Sequence, residues 1–156
     1  MSKSLTRVMD TLAASGHGTI ALEMPAQTHT AQDAARVVGC DINQIATSVI
    51  FSSKTSERLF LFVMSGGHKI NMVKAATAAG EPLDRANPHV VHAVTGFSIG
   101  SVPPVGHLTP VRVFLDHNLL KFSLVYATAG TPRHVFAVDP NDLVKISKAQ
   151  VSDIMQ

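Results

Sequence analysis

The first apolar pattern in the chain is helical. In "SLTRVMDTLAAS", residues 4–15, Leu5, Val8, Met9 and Leu12 recur at the spacing of one helix face, with Ser4 placed to cap the start and Gly16 and Gly18 to end it. "TIALEM" then reads as a short strand closed by Pro25. Thr30, followed three residues later by Asp33, resembles a capping box ahead of an alanine-rich helix, and Gly39 is its natural stop. The pattern turns β-branched and apolar in "TSVIFSS" and again in "RLFLFVMS"; the polar "SKTSE" between them predicts a hairpin. "GGHKINMVKAATAAG" reads as a glycine turn followed by a helix that Asn71 caps, and Pro88 opens a short helix in "NPHVVHAV". Three strand candidates follow, "VRVFL", "FSLVYAT" and "HVFAV", and "DPNDLVKI" ends the pattern with a proline-initiated helix. Strands and helices interleave without strict alternation. That predicts an α/β fold of the α+β type, with a sheet of mixed direction rather than a doubly wound one.

Composition narrows the class. A chain of 156 residues suits one domain, 1–156, with one core. With 46% apolar and 15% charged residues it is globular rather than disordered. The net charge of +2 advertises neither a nucleic-acid nor a membrane surface, although a local basic patch escapes a total. One cysteine, Cys40, excludes an internal disulfide framework and fits a reducing compartment. "MSKSLTRVMD" lacks an apolar signal core and no run approaches membrane-spanning length. The expectation is a cytoplasmic protein without a membrane partner.

The segment with the most chemical promise is "TGFSIGSVPPVGH", residues 95–107. It holds three glycines and two adjacent prolines and no Asp, Glu, Lys or Arg. Glycine lets backbone approach a ligand, and proline fixes φ and removes a competing donor. Together they can aim N–H groups at an oxyanion or a carbonyl. A rigid structural turn is the other reading of the same residues. His89 and His92 lie three apart on a helix, a spacing able to share a metal, but no third ligand is suitably spaced. His68 and His107 sit in glycine-flanked turns, where functional side chains gather. Ser65 precedes Gly66 at a strand end without the G-x-S-x-G context of a nucleophile elbow, and Cys40 reads as a small buried apolar residue. The loop is neither a phosphate-binding nor a dinucleotide motif, and no carboxylate pair stands out. These patterns call for no metal and no cofactor.

Three segments taken in order add more: "TAQDAARVVGCDINQIATSVIF", "LFLFVMSGGHKIN" and "TGFSIGSVPPVGH", continued by "VFLDHNLLKFSLVYATAGTPRHVFAVDPNDLVKI". This ordered set resembles the YbaK/ProX family of aminoacyl-tRNA deacylase domains over nearly the whole chain. The resemblance implies a single domain with a strongly curved mixed sheet surrounded by helices, as in the editing domain of prolyl-tRNA synthetases. It implies hydrolysis of the ester that joins a wrong amino acid to tRNA. The family's G-x-x-x-P loop falls on Gly100 to Pro104 and is expected to line the pocket for the aminoacyl group and terminal adenosine. Backbone donors at Gly100, Ser101 and Val102 would serve the oxyanion, with the substrate's own ribose hydroxyl helping to activate water. Thr30, Ser65, Gly66, His68, Gly96, Pro103, Pro104 and His107 are the implied substrate-binding residues. One departure stands out: where the family reads Q-I-A-K-S, this chain reads "QIATS", so Thr47 takes the position of a lysine that holds the tRNA terminus. Lys69, Lys74 and His68 are the candidates to compensate. The implied partners are the aminoacylated 3′ end of tRNA and an aminoacyl-tRNA synthetase. The leading expectation is a free-standing trans-editing deacylase. The alternatives are a relative that binds an aminoacyl ester, a nucleotide or a synthetase without hydrolysis, and a hydrolase of another small ester or amide.

Overall fold

The computed structural model describes every residue except Met1, Gln27 and His29. Local signals place most elements. Helix α1 (Lys3–Ala14) starts at Ser2, whose Oγ accepts from the Leu5 amide at 3.1 Å; Ser4 lies inside the first turn and caps nothing. Helix α2 (Ala31–Val38) is capped by Thr30, whose hydroxyl accepts from the Asp33 amide, and ends on Gly39 in the left-handed region at φ 84°. Helices α3 (Met72–Ala79), α4 (Pro88–Thr95) and α5 (Pro140–Ser147) are capped by Asn71, Asn87 and Asp139, and the last two carry proline at the first position.

The eight strands are β1 (Leu22–Glu23), β2 (Ile45–Ser53), β3 (Leu59–Ser65), β4 (Leu83–Arg85), β5 (Arg112–Asp116), β6 (Val125–Thr131), β7 (His134–Val138) and β8 (Gln150–Ser152). They form one mixed sheet in the order β1-β7-β6-β2-β3-β5-β8, with β4 added beside β2. The expected hairpin is β2–β3, antiparallel from Ala46↔Ser65 to Ser52↔Leu59, and it starts two residues before "TSVIFSS". "TIALEM" contributes only Leu22 and Glu23, because only these two find partners on β7. Strands β4 and β8, three residues each, carry charged or polar side chains and no apolar period, and no sequence pattern predicts them.

β3 is buried along its whole length, as a central strand covered on both faces must be. Leu59, Leu61 and Val63 face the main core, into which α1 sends Leu5, Val8 and Leu12. Phe60 and Phe62 face a second cluster with Phe114 under α3, the Phe62 and Phe114 rings stacked 5.2 Å apart. Each fully buried side chain of this size contributes roughly 1.5–3 kcal/mol. A third, smaller cluster seats Ala34 and Ala35 of α2 on Ile45, with Tyr126 beside them.

The sheet is weakest in one place. β2 and β6 run parallel but share only two register pairs, Ile45↔Tyr126 and Ala46↔Ala127. Beyond Ala127, β6 bulges between Thr128 and Thr131 and turns into β7. β2 gains a new neighbour, β4, only at Phe51. Between Ala46 and Phe51 that edge of β2 has no strand beside it among the described residues.

Candidate active site

The gap between β2 and β6 is where the glycine–proline loop goes. A single 3₁₀ turn, Ile99–Ser101, packs against both strands. The result is a cavity of about 220 Å³. Thr47 and Ser48 form one wall, Gly100, Ser101 and Val102 a second, and Tyr126, Thr128, Thr131, Pro132, His134 and Val135 of the β6–β7 hairpin a third. The N-terminal end of α2, with Thr30, Ala31 and Ala34, and Met24 and Thr28 close it. Along β2, Thr47 alternates with Ser48 and shares the face of Ile45, the face that α2 covers, so its side chain lies on the α2 side of the sheet.

Among the described residues no lysine, arginine or carboxylate lines this cavity. Among the same residues its polar character comes from hydroxyls and backbone and from the imidazole of His134. The His134 Nδ1 lies 2.6 Å from Thr131 Oγ1, which leaves Nε2 for a ligand. The Thr131 hydroxyl also accepts from the Arg133 amide, and Thr128 Oγ1 accepts from the Gly130 amide, so the same hydroxyls fix the turn and furnish the wall. Ser48 Oγ is buried and has no hydrogen-bond partner among the described residues. A buried hydroxyl left so is uncommon and marks a place to examine for a ligand.

The cavity gathers Thr30, Thr47, Gly100, Ser101 and Val102 from the expected set. Gly100 is open: a Cβ added there would meet nothing within 4 Å. One expectation is corrected. The Ser101 amide closes the 3₁₀ turn on the Ser98 carbonyl at 2.9 Å and is already used as a donor. The amides of Gly100 and Val102 make no such bond among the described residues and remain available.

The other expected residues lie outside the lining. Ser65 is buried opposite Ala46, its Oγ also without a partner among the described residues, and faces the main core. Gly66 permits close packing, since a Cβ there would sit 2.8 Å from the Ile42 carbonyl oxygen and 2.9 Å from Ala31 Cβ. Gly96 ends α4 with φ 82°. Pro103 and Pro104 are buried behind the loop, and the His107 ring turns to Pro103 rather than to the cavity. His68 bonds Asn43 Oδ1 at 2.9 Å on the surface. Nor do the candidate cations compensate for Thr47. Lys74 is held by Asp153 and the Met155 carbonyl, and Lys69 is exposed away from the cavity. Sequence reasoning missed Ser48, Tyr126, Thr128, Thr131 and His134; the polar turn "TAGTPRH" between two strands was the only signal for the last three, and Ser48 and Tyr126 read simply as strand residues.

Other concave or ligand-like places fit chemistry less well. A depression of about 500 Å³ along α1, past Lys3, Arg7 and Asp10, is shallow and lined by one helix. Asp116, His117 and Asp153 bring ligand atoms within 4.8 Å of one another. Asp116 already accepts from the amides of Asn118 and Ile154, however, and Lys74 neutralises Asp153. His89 and His92 are exposed on α4. Cys40 is half-buried beside Ile42, and burial, then the charge of Asp41, raises its thiol pKa.

Known proteins place this geometry. The chain is similar, at TM-score 0.92 and 40% identity over 100% of it and 99% of the other chain, to a crystal structure described as a candidate trans-editing enzyme for prolyl tRNA synthetase. An uncharacterized protein, YwhH of Bacillus subtilis, is 28% identical over 83% of this chain and 82% of its own. A proline–tRNA ligase of Desulforamulus reducens is 29% identical over 71% of this chain, a match that spans only 19% of the ligase. The family model for the aminoacyl-tRNA editing domain matches residues 25–146, a span that includes every strand around the cavity. The chain belongs to the aminoacyl-tRNA editing domain family.

Proposed function

We propose that this protein is a free-standing deacylase that removes a wrong amino acid from tRNA, with the proline system as its context. The observation that carries the reading is the loop Gly100–Val102 seated in the split of the sheet opposite Thr47. The loop lines a cavity of about 220 Å³ with no lysine, arginine or carboxylate among its described lining residues, and its Gly100 and Val102 amides make no bond among the described residues. An ester carbonyl placed against the Gly100 and Val102 amides would be polarised, and those donors would stabilise the oxyanion formed when water adds. Collapse of that intermediate breaks the bond to the ribose oxygen, which takes a proton, and releases the free amino acid and an intact tRNA. His134 Nε2 is an imidazole nitrogen on the wall that can donate or accept a hydrogen bond, and we assign it to orienting the water or the ribose hydroxyl. Thr47 can offer a hydroxyl to the substrate but not a charge, so phosphate neutralisation must come from outside the cavity, from the bound tRNA's surroundings or a synthetase that delivers it.

The test is deacylation of tRNA for proline carrying alanine, serine, cysteine, threonine or proline, followed as loss of the labelled amino acid. Hydrolysis of at least one mismatched ester with the prolyl ester spared is expected. Tight binding of those tRNAs with no hydrolysis of any would overturn the reading in favour of a binding protein, the less favoured alternative.

A further inference from the structure

We propose that His107 is a positioning residue for the pocket loop: its imidazole holds the Pro103 carbonyl and, through it, the backbone at Gly100–Val102. The loop leaves and returns at one point, where the Leu108 amide donates to Thr95 O at 3.0 Å and the Thr109 amide to Val94 O at 2.9 Å. Between these stems, beyond the bonds of the Thr95 hydroxyl to the Phe97 backbone, two internal bonds shape it among the described residues. One closes the 3₁₀ turn on Ser98, and the other is His107 Nε2 to Pro103 O at 2.6 Å. Pro103 and Pro104 carry no N–H, so this part of the loop cannot tie itself down by its own donors. Pro103 is buried, and a buried carbonyl needs a donor. That carbonyl only accepts, which fixes the proton on Nε2. Burial also lowers the pKa of His107, against the smaller opposing effect of the Pro103 bond, and favours this neutral form.

The ring is braced from the other side as well. It meets Phe97 edge-on, 6.3 Å between centroids at 76°. Phe97 is buried, with the Arg7 guanidinium 5.2 Å from its ring centre. It also abuts Gly130, where an added Cβ would come within 2.7 Å of the ring. Gly130 belongs to the bulge of β6, which supplies the opposite wall of the pocket. His107 thus touches no substrate, yet it links the loop to the wall that the loop faces.

The experiment compares His107→Leu, which fills the space without a donor, with His107→Gln, whose amide can still donate. Each full-length variant is read by melting, by the NMR amide positions of Gly100 and Val102, and by single-turnover deacylation of tRNA for proline carrying alanine, serine or cysteine. His107→Leu should melt cooperatively, shift both amides and slow the saturated rate about tenfold to a hundredfold, with the half-saturating concentration changed much less. His107→Gln should recover most of both. Should His107→Leu fail to fold, His107→Asn, with an amide too short to reach Pro103, replaces it. Unmoved amides and a wild-type rate overturn the proposal, as does equal impairment of the leucine and glutamine variants in step with lost stability. The rate measurement rests on the deacylase reading and the amide measurement does not. A wild-type protein that hydrolyses no ester, while His107→Leu moves the Gly100 amide, overturns the function and supports the positioning role.

Discussion

The two ends of β2 carry serines in opposite circumstances. At one end Ser53 Oγ donates to Glu81 Oε1 at 2.8 Å and accepts from the amides of Thr55 and Ser56, both at 3.1 Å. Glu81 also takes the hydroxyl of Ser56 and the guanidinium of Arg58, so these polar groups answer one another from within the chain. Toward the other end, among the described residues, Ser48 Oγ has no partner, the Gly100 and Val102 amides make no bond, and no charged side chain lines the space. Charge is concentrated near the first end, where Arg58 pairs with Glu81 and, with Glu57 and Arg112, lines another cavity of about 230 Å³. The difference teaches that a saturated charged cluster holds a fold together, whereas unanswered donors and hydroxyls leave capacity for a ligand.

That contrast can be broken most directly at Gly100. Gly100→Val adds a side chain where nothing lies within 4 Å, so melting should barely change while deacylation falls about a hundredfold or more from the intrusion into the pocket. A folded Gly100→Val protein with full activity would remove the loop from the mechanism. Thr47→Lys works in the opposite sense. A charge-assisted bond in a partly desolvated site contributes on the order of 1.5–3 kcal/mol, so affinity or rate for the mischarged tRNA should rise roughly tenfold to a hundredfold. Lys69→Ala should leave activity unchanged, since that side chain is remote from the cavity, and a loss would show that charge reaches the site from there.

At the saturated end, Ser53→Ala removes a donor and two acceptor contacts from a buried hydroxyl and should cost about 1–3 kcal/mol of stability, with activity per folded molecule unaltered. The ends should also separate by pH. His107 has its pKa lowered below the usual 6.5, chiefly by burial, and Glu81 below the usual 4.5, chiefly by the Ser56 and Ser53 hydroxyls. In both cases the unfolded chain binds its proton first. The stability each group contributes is therefore whole above the unfolded value and lost as pH falls through the folded one. Melting temperature against pH should decline first below about 6.5 and again below about 4.5. His107→Gln should abolish the first step and Glu81→Gln the second. Ser48→Ala is the smallest change: with no bond to lose, stability should stay within about 0.5 kcal/mol. A loss as large as that of Ser53→Ala would mean that Ser48 has a partner after all.

What the sequence made legible follows the range of the forces involved. Caps at Thr30 and Asn71, the helix start at Pro88 and the β2–β3 hairpin are decided within a few residues, and they stand where the pattern put them. β4 and β8 exist only because Phe51–Ser53 and Phe114–Asp116 offer an edge, and "LDR" and "QVS" carry no period of their own. The site divides in the same way. Gly100–Val102 and Thr47 were visible through motif and composition. His134, Thr131 and Ser48 become neighbours of that loop only once β6 parts from β2, an arrangement fixed by residues about 80 positions apart. Glycines such as Gly66 and Gly96 read as candidates for ligand approach, but what approaches them is the chain itself: the Ile42 carbonyl at Gly66, Arg7 and Leu108 at Gly96.

The two register pairs between β2 and β6 bear on how such a pocket changes over evolutionary time. A strand ladder can shift only by whole steps, because a one-residue slip turns every side chain over. Across the gap, cohesion rests on the packing of Ala46, Val102, Ala127 and Phe136, which has no register. One methyl group gained or lost beneath the gap can move its walls by a fraction of an ångström without disturbing a single strand pair. Substrate preference can therefore drift by small, individually tolerated substitutions in the core, including at positions such as Ala127 and Phe136 that do not line the cavity.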